Sequence, residues 1–163
     1  MTDPSSYCTD YPIRLATIDE VETLVELRLA MFEAMGIDHS ELTLAIAPMR
    51  TYFKQHLPTG DFRVWVAEHR DVPIAAIGLV IHSVPPSPHN MAGHVAYIMN
   101  LVTLPEHRRH GIAKRLLLHV LGIVRAEGIS KVSLHATSDG QQLYEHLGFK
   151  ASANPAEMWL TLE

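Results

Sequence analysis

Apolar residues recur along the chain with two different periods, and the switches between them mark its elements. Residues Ile13 to Ala16 read as a short strand. Thr17 and Glu20 form a capping box ahead of a helix. That helix carries Val21, Leu24, Val25, Leu27, Leu29 and Met31, runs to about Met35 and is ended by Gly36. A weaker helical pattern spans about Ser40 to His56. In "DFRVWVAEH", Phe62, Val64 and Val66 face one way and Arg63 and Trp65 the other, which is a strand period. The polar break from His69 to Pro73 predicts a turn. Ile74 to His82 then forms a strand apolar enough to be buried on both faces. Pro85, Pro86 and Pro88 make a rigid loop, and His94 to Leu104 is a third long strand closed by Pro105. From Gly111, Ile112, Ala113, Leu116, Leu117, Val120, Leu121 and Val124 line one helix face, while Lys114, Arg115, His119 and Arg125 take the other. Lys131 to His135 is a strand. Ser138 and Asp139 cap a short helix through Leu147, stopped by Gly148, and "EMWLTLE" is a last strand.

This order predicts an α/β domain with a mixed sheet. Short turns make the three central strands antiparallel, and the crossover through the long helix makes the fifth strand parallel to the fourth. With 163 residues and 47% hydrophobic content, one domain over residues 1–163 is expected, its first ten residues a flexible tail. The net charge of −5 speaks against a nucleic-acid binder. No apolar run reaches the ~18 residues of a membrane span, and the first residues lack the pattern of a signal peptide. The single cysteine, Cys8, excludes an internal disulfide framework, so a cytoplasmic setting is expected.

One stretch departs from ordinary helix design. "HRRHGIAKRLL", His107 to Leu117, places basic side chains where the helix dipole is already positive. The first turn of a helix also leaves N–H groups unpaired, which suit phosphate oxygens. Gly111 lets a ligand approach the backbone, and Arg108, Arg109 and His110 add charge-assisted donors. On charge alone, a solvated basic turn and a pyrophosphate cradle are equally good readings. The spacing matches neither a P-loop nor a dinucleotide fingerprint. His107 and His110 stand three apart, but two arginines between them repel a cation, so no metal is expected.

Here the residues resemble the GNAT superfamily of N-acetyltransferases. Its phosphate-binding signature is Arg or Gln, two residues, Gly, one residue, then Gly or Ala; this chain reads Arg108-Arg109-His110-Gly111-Ile112-Ala113. A second motif, "LHATSDGQQLYEHLGF" from Leu134 to Phe149, is similar to the family's fifth strand, short helix and "LYE-x-LGF" ending. Many members carry Gly where Arg109 and Ala113 stand, and Asn and Ala where Thr137 and Gly140 stand. The resemblance implies a GNAT-like fold: a central mixed sheet of six or seven strands, about four flanking helices, and splayed fourth and fifth strands. It implies acetyl-coenzyme A as cofactor. The pantetheine arm would pair with backbone groups of Leu101, Val102 and Thr103. N–H groups from Arg109 through His110, Gly111, Ile112 and Ala113 to Lys114 would hold the pyrophosphate, with Arg108 and Thr137 adding contacts.

The implied reaction is direct attack of an amine on the thioester within a ternary complex. Tyr144, at the motif's tyrosine, would protonate the leaving thiolate; its structural alternative is a packing residue. The general base is open among Tyr97, His82, His94 and ordered water. Met31, Phe32 and Met35, with Tyr97, are expected to wall a pocket for a small-molecule amine, with Glu33 placed to attract a cation. A homodimer is a further expectation. Two alternatives stay open: a non-catalytic acetyl-coenzyme A sensor, and a protein or peptide N-terminal acetyltransferase.

Overall fold

The computed structural model describes residues 11–151 and 160–161. Its strands are β1 (Ile13–Leu15), β2 (Phe62–His69), β3 (Val72–Ser83), β4 (His94–Thr103) and β5 (Lys131–Leu134). Its helices are α1 (Val21–Ala34), α2 (His39–His56), α3 (Ile112–Ala126) and α4 (Ser138–His146). The strands form one sheet in the order β1-β2-β3-β4-β5. All neighbours are antiparallel except β4 and β5, which run parallel through the α3 crossover. Among the described residues the sheet has five strands, not six or seven. The predicted last strand lies outside the described residues, apart from Leu160 and Thr161, which are not in a strand.

Two corrections are local. Thr17 and Glu20 do meet, the Glu20 carboxylate accepting the Thr17 N–H at 2.8 Å. They sit on a 3-10 turn, Ile18–Glu20, and the α-helix begins only after it. The break after His69 is shorter than predicted: Arg70 and Asp71 form the whole turn, with φ of 51° and 62°. Two left-handed residues match the twist of the flanking strands, so Val72 and Pro73 belong to β3.

The sheet is covered on both faces, as its apolar central strands require. On one face Phe62, Val64, Val66, Ala76 and Val102 meet Val21, Leu24, Val25 and Leu27 of α1 and Phe53 of α2. On the other, Trp65, Ala67, Ile77, Leu79, Ala96 and Ile98 meet Ile112, Leu116, Leu117, Val120 and Val124 of α3. Tyr144, Leu147 and Phe149 extend that second cluster. Arg14 ties the sheet edge to the start of α1, donating to Glu20 at 2.6 Å and Glu68 at 2.5 Å. Among the described residues no helix is long and apolar enough to cross a membrane.

Phe62 and Gly78 form the tightest contact of the first core. The Phe62 ring stacks on Phe53, centroids 5.7 Å apart and 7° from parallel, and lies over the backbone of β3. A Cβ at Gly78 would fall 2.7 Å from the Phe62 ring. Phe62 is buried and cannot swing aside. Gly78→Ala is therefore expected to cost about 1–3 kcal/mol, read as a lower urea midpoint with an unchanged slope. An unaltered midpoint would show that this contact has slack.

Candidate active site

The central feature is a parting of β4 from β5. Their register runs Val95–Lys131, Ala96–Val132, Tyr97–Ser133, Ile98–Leu134, and stops. β5 ends at Leu134, while β4 continues through Met99, Asn100, Leu101 and Val102 to Thr103. A bulge lies where the strands part. Met99 pairs with Gly78 and Val102 with Ala76, so β4 holds one extra residue there. Asn100 takes it up with φ of 55°, a conformation that Asn tolerates better than most side chains. The bulge also shifts the alternation. Met99 and Val102, three apart, both meet the first core, and Leu101 turns to the second.

Backbone groups of β4 beyond the bulge face the gap. Leu104 donates its N–H to the Ile74 carbonyl at 2.9 Å. Antiparallel alternation then turns the groups of Thr103 away from β3. The Thr103 carbonyl accepts the Arg108 Nε at 3.1 Å on that open side. The Thr103 hydroxyl is buried without a partner among the described residues.

The basic loop leads directly from this strand. Arg109 and Gly111 both have positive φ, 65° and 74°, so the chain doubles back before α3. Gly111 is the N-cap, and no side chain caps the helix. No acidic residue stands in its first turn. The first intrahelical bond comes from Arg115 to the Gly111 carbonyl at 3.0 Å. The N–H groups of Ile112, Ala113 and Lys114 are left to point outward. Arg108, Arg109, His110 and Lys114 are exposed, and none pairs with a carboxylate among the described residues. Ile112 is buried and pins the loop to the core. The N–H groups of this helix start thus have no intrahelical acceptor, an arrangement that suits a diphosphate.

Across the gap, α4 positions Tyr144 and Thr137. Thr137 is the N-cap, extended at φ −79°, and its hydroxyl makes no bond to its own helix. Its carbonyl accepts the Gly140 and Gln141 N–H groups, both at 3.0 Å. Tyr144 is half-buried against the second core, its ring 5.9 Å from that of Phe149. It folds back over Gly140: a Cβ there would lie 2.9 Å from the ring. Burial raises the Tyr144 pKa above the ordinary phenol value, so the hydroxyl keeps its proton.

The α1–α2 face of the gap carries a second polar group. The Tyr97 hydroxyl shares a hydrogen bond with His135 Nδ1 at 2.7 Å. His82 lies beside it, rings 5.9 Å apart. His94 sits at the far end of β4, opposite Ser83. Sequence reasoning missed His135, although it follows Ser133 at the strand period and so shares the face of Tyr97. Of the predicted pocket wall, Met31 packs on the first core, Phe32 lies against Arg28 with the guanidinium 4.8 Å from its ring, and Met35 is exposed. Glu33 is exposed as well. Among the described residues no group of three metal-ligating side chains is assembled.

The chain resembles known proteins over this whole region. The model of the acetyltransferase (GNAT) family matches residues 23–149. A GCN5-related N-acetyltransferase from Ralstonia eutropha JMP134 is 31% identical, with TM-score 0.84, covering 91% of this chain and 98% of that one. A predicted acetyltransferase from Clostridium acetobutylicum, solved with acetyl-CoA, is 26% identical with TM-score 0.83, covering 94% of this chain and 96% of that one. Human N-acetyltransferase 8 is 28% identical over 116 residues, 69% of this chain and 49% of that protein. The chain spans about half the length of the curated relatives it matches.

The loop geometry ranks two substitutions. A side chain at Gly111 has open space but a φ of +74°, so a β-branched residue there strains the turn that aims the N–H groups, by about 1–3 kcal/mol. Arg109→Gly relieves a left-handed residue of about 1–2 kcal/mol and removes one exposed cation. Gly111→Val should therefore weaken coenzyme A binding by more than tenfold in calorimetric titration. Arg109→Gly should raise the melting temperature and change binding about threefold or less. The opposite order would assign the site to arginine charge rather than to backbone donors.

Proposed function

From the premise that the chain belongs to the acetyltransferase (GNAT) family, we propose that it is an N-acetyltransferase that moves the acetyl group of acetyl-coenzyme A to the primary amine of a small molecule by direct attack in a ternary complex. The observation that carries this reading is the parted β4–β5 pair, whose open backbone runs into an uncapped, basic helix start. A pantetheine amide chain restores the missing strand partner along Leu101, Val102 and Thr103. Arg109, His110, Gly111, Ile112, Ala113 and Lys114 then receive the diphosphate on their N–H groups. Arg108 leaves the Thr103 carbonyl to join them, and the Thr137 hydroxyl meets the arm from the β5 side. A cytoplasmic setting and a single domain belong to the same reading.

The chemistry follows from what these groups can do. An N–H of β4 beyond the bulge polarises the thioester carbonyl and stabilises the developing oxyanion. The acceptor must lose a proton, because an alkylamine with pKa near ~10.4 is mostly protonated at neutral pH. Tyr97 is the first acceptor on the route out, with His135 hydrogen-bonded behind it at 2.7 Å. Tyr144 supports the leaving sulfur. A phenol above about 10 is a weaker acid than a thiol near 8.5, so complete transfer is uphill by at least ~2 kcal/mol. Tyr144 therefore acts as a hydrogen-bond donor while the C–S bond breaks.

Tyr144→Phe is expected to lower kcat by about 100-fold with little change in KM for acetyl-coenzyme A, followed by thiol release over a panel of amines. Because burial raises the Tyr144 pKa, the donor form persists above the ordinary phenol value. The pH profile of kcat should rise as the amine and its base lose protons and show no fall up to about pH 10. A fall between pH 8 and 10 that vanishes in Tyr144→Phe would contradict this assignment, and binding of acetyl-coenzyme A without turnover of any amine would sink the enzyme reading.

A further inference from the structure

Arg28 stands in the middle of α1 without a counter-ion among the described residues. It lies on the stripe of Val21, Leu24 and Val25, all buried, and is itself half-buried. Among the described residues it pairs with no carboxylate. Its Nη1 donates to Asn100 Oδ1, the side chain of the bulge residue. Phe32 covers one face of the guanidinium, and the nearby groups bearing on its charge are the phenols of Tyr52 and Tyr97. Leu24, Leu27, Val64 and Val102 line the small pocket that it shares with Asn100. Desolvation holds the Arg28 pKa below the usual arginine value.

Holding the bulge does not require a cation, since a neutral donor would satisfy Asn100. A half-buried charge is costly without a partner. A guanidinium presents five donors in a planar fork that fits a carboxylate with two parallel bonds, and the described residues use one of them. The location identifies which ligand brings the anion. The diphosphate cradle begins at Arg109, past the end of β4, with α3 on the opposite face of the sheet. Arg28 instead meets β4 where the strands part, on the α1–α2 face, beside Tyr97.

We infer that Arg28 is a specificity-determining residue that binds a carboxylate of the acceptor, so that the acceptor is an amino-carboxylate, a small molecule carrying a free amine and a free acid. This rests on the acetyltransferase reading above and narrows it. Held by its acid at Arg28, such a molecule directs its amine toward the end of the pantetheine arm. The neighbouring Phe32 and Tyr52 shape the space around it, and the exposed Glu33 plays no part.

The test compares matched acceptors on the full chain by thiol release from acetyl-coenzyme A. Each of a set of amino acids is assayed beside its primary amide and its decarboxylated amine. The acids are expected to exceed their amides at least tenfold in kcat/KM, mostly through KM. In Arg28→Gln this preference should collapse to about one, with Arg28→Lys restoring part of it; a residue that merely supported the fold would lower acids and amides together. The wild-type ratio stands as a test by itself if the variants fold poorly. Amides or plain amines used as well as the acids would overturn the Arg28 assignment while leaving acetyl transfer intact. Thiol release with no member of the set, although acetyl-coenzyme A raises the melting temperature, would overturn both.

Discussion

The architecture turns on one interruption of hydrogen bonding, at Ile98 and Leu134. Up to that pair β4 and β5 are ordinary parallel neighbours; beyond it β4 runs on for five residues with no described strand on that side. Backbone groups left this way inside a protein are costly unless something pairs with them. The sheet tolerates the opening because both flanks are fixed. β3 holds β4 through Val102 and Leu104, and α3 fills the face behind with Leu116, Leu117 and Val120. What stays open is a slot with the hydrogen-bonding pattern of a strand edge, which suits a ligand built of amides. The alternative resolution, closure of β5 onto β4, is opposed by the bulge at Asn100.

That bulge also divides the site between the faces of the sheet. On the α3 side, Leu101 and Ile112 join the core and the basic loop lies just beyond. On the α1–α2 side, Asn100 faces Arg28, and Tyr97 faces His135. In the proposed direct transfer, cofactor and acceptor would thereby approach the slot from different layers of the sheet. The positive φ at Asn100 is the local strain that makes this division possible.

Much of this was legible in the sequence because it depends on short-range pattern. The periods of Phe62–Val66 and of Ile112–Val124 place those elements and their faces correctly. The run Arg108–Ala113 forms the uncapped helix start that its charge pattern suggests, and "LYEHLGF" carries Tyr144 at the end of α4. The hairpin at Arg70–Asp71 was blurred because neither residue is Gly or Asn, and only tertiary pairing holds them left-handed. Arg28 and His135 were missed for a different reason. Each acts through a residue distant in sequence, Asn100 and Tyr97, and those partners are set by the register of β4. Arg28 did leave a trace: it is a lone charge on the apolar stripe of its helix.

The departures from the family pattern have physical causes that the structure makes specific. Arg109 occupies a left-handed position, φ 65°, where glycine is unstrained, so a side chain beside the proposed phosphate site is kept at a cost in stability. Gly140 does the reverse. The Tyr144 ring lies 2.9 Å from where a Cβ at Gly140 would stand, so an alanine there would push the ring outward. The position of the phenol is therefore set by a residue one helical turn earlier rather than by the tyrosine motif alone. Thr137, in the same way, turns from a helix-capping residue into an available hydroxyl because α4 leaves its oxygen unused. Substitutions at motif positions thus change where donors point while preserving the slot itself, and the slot is the part that depends on the whole sheet.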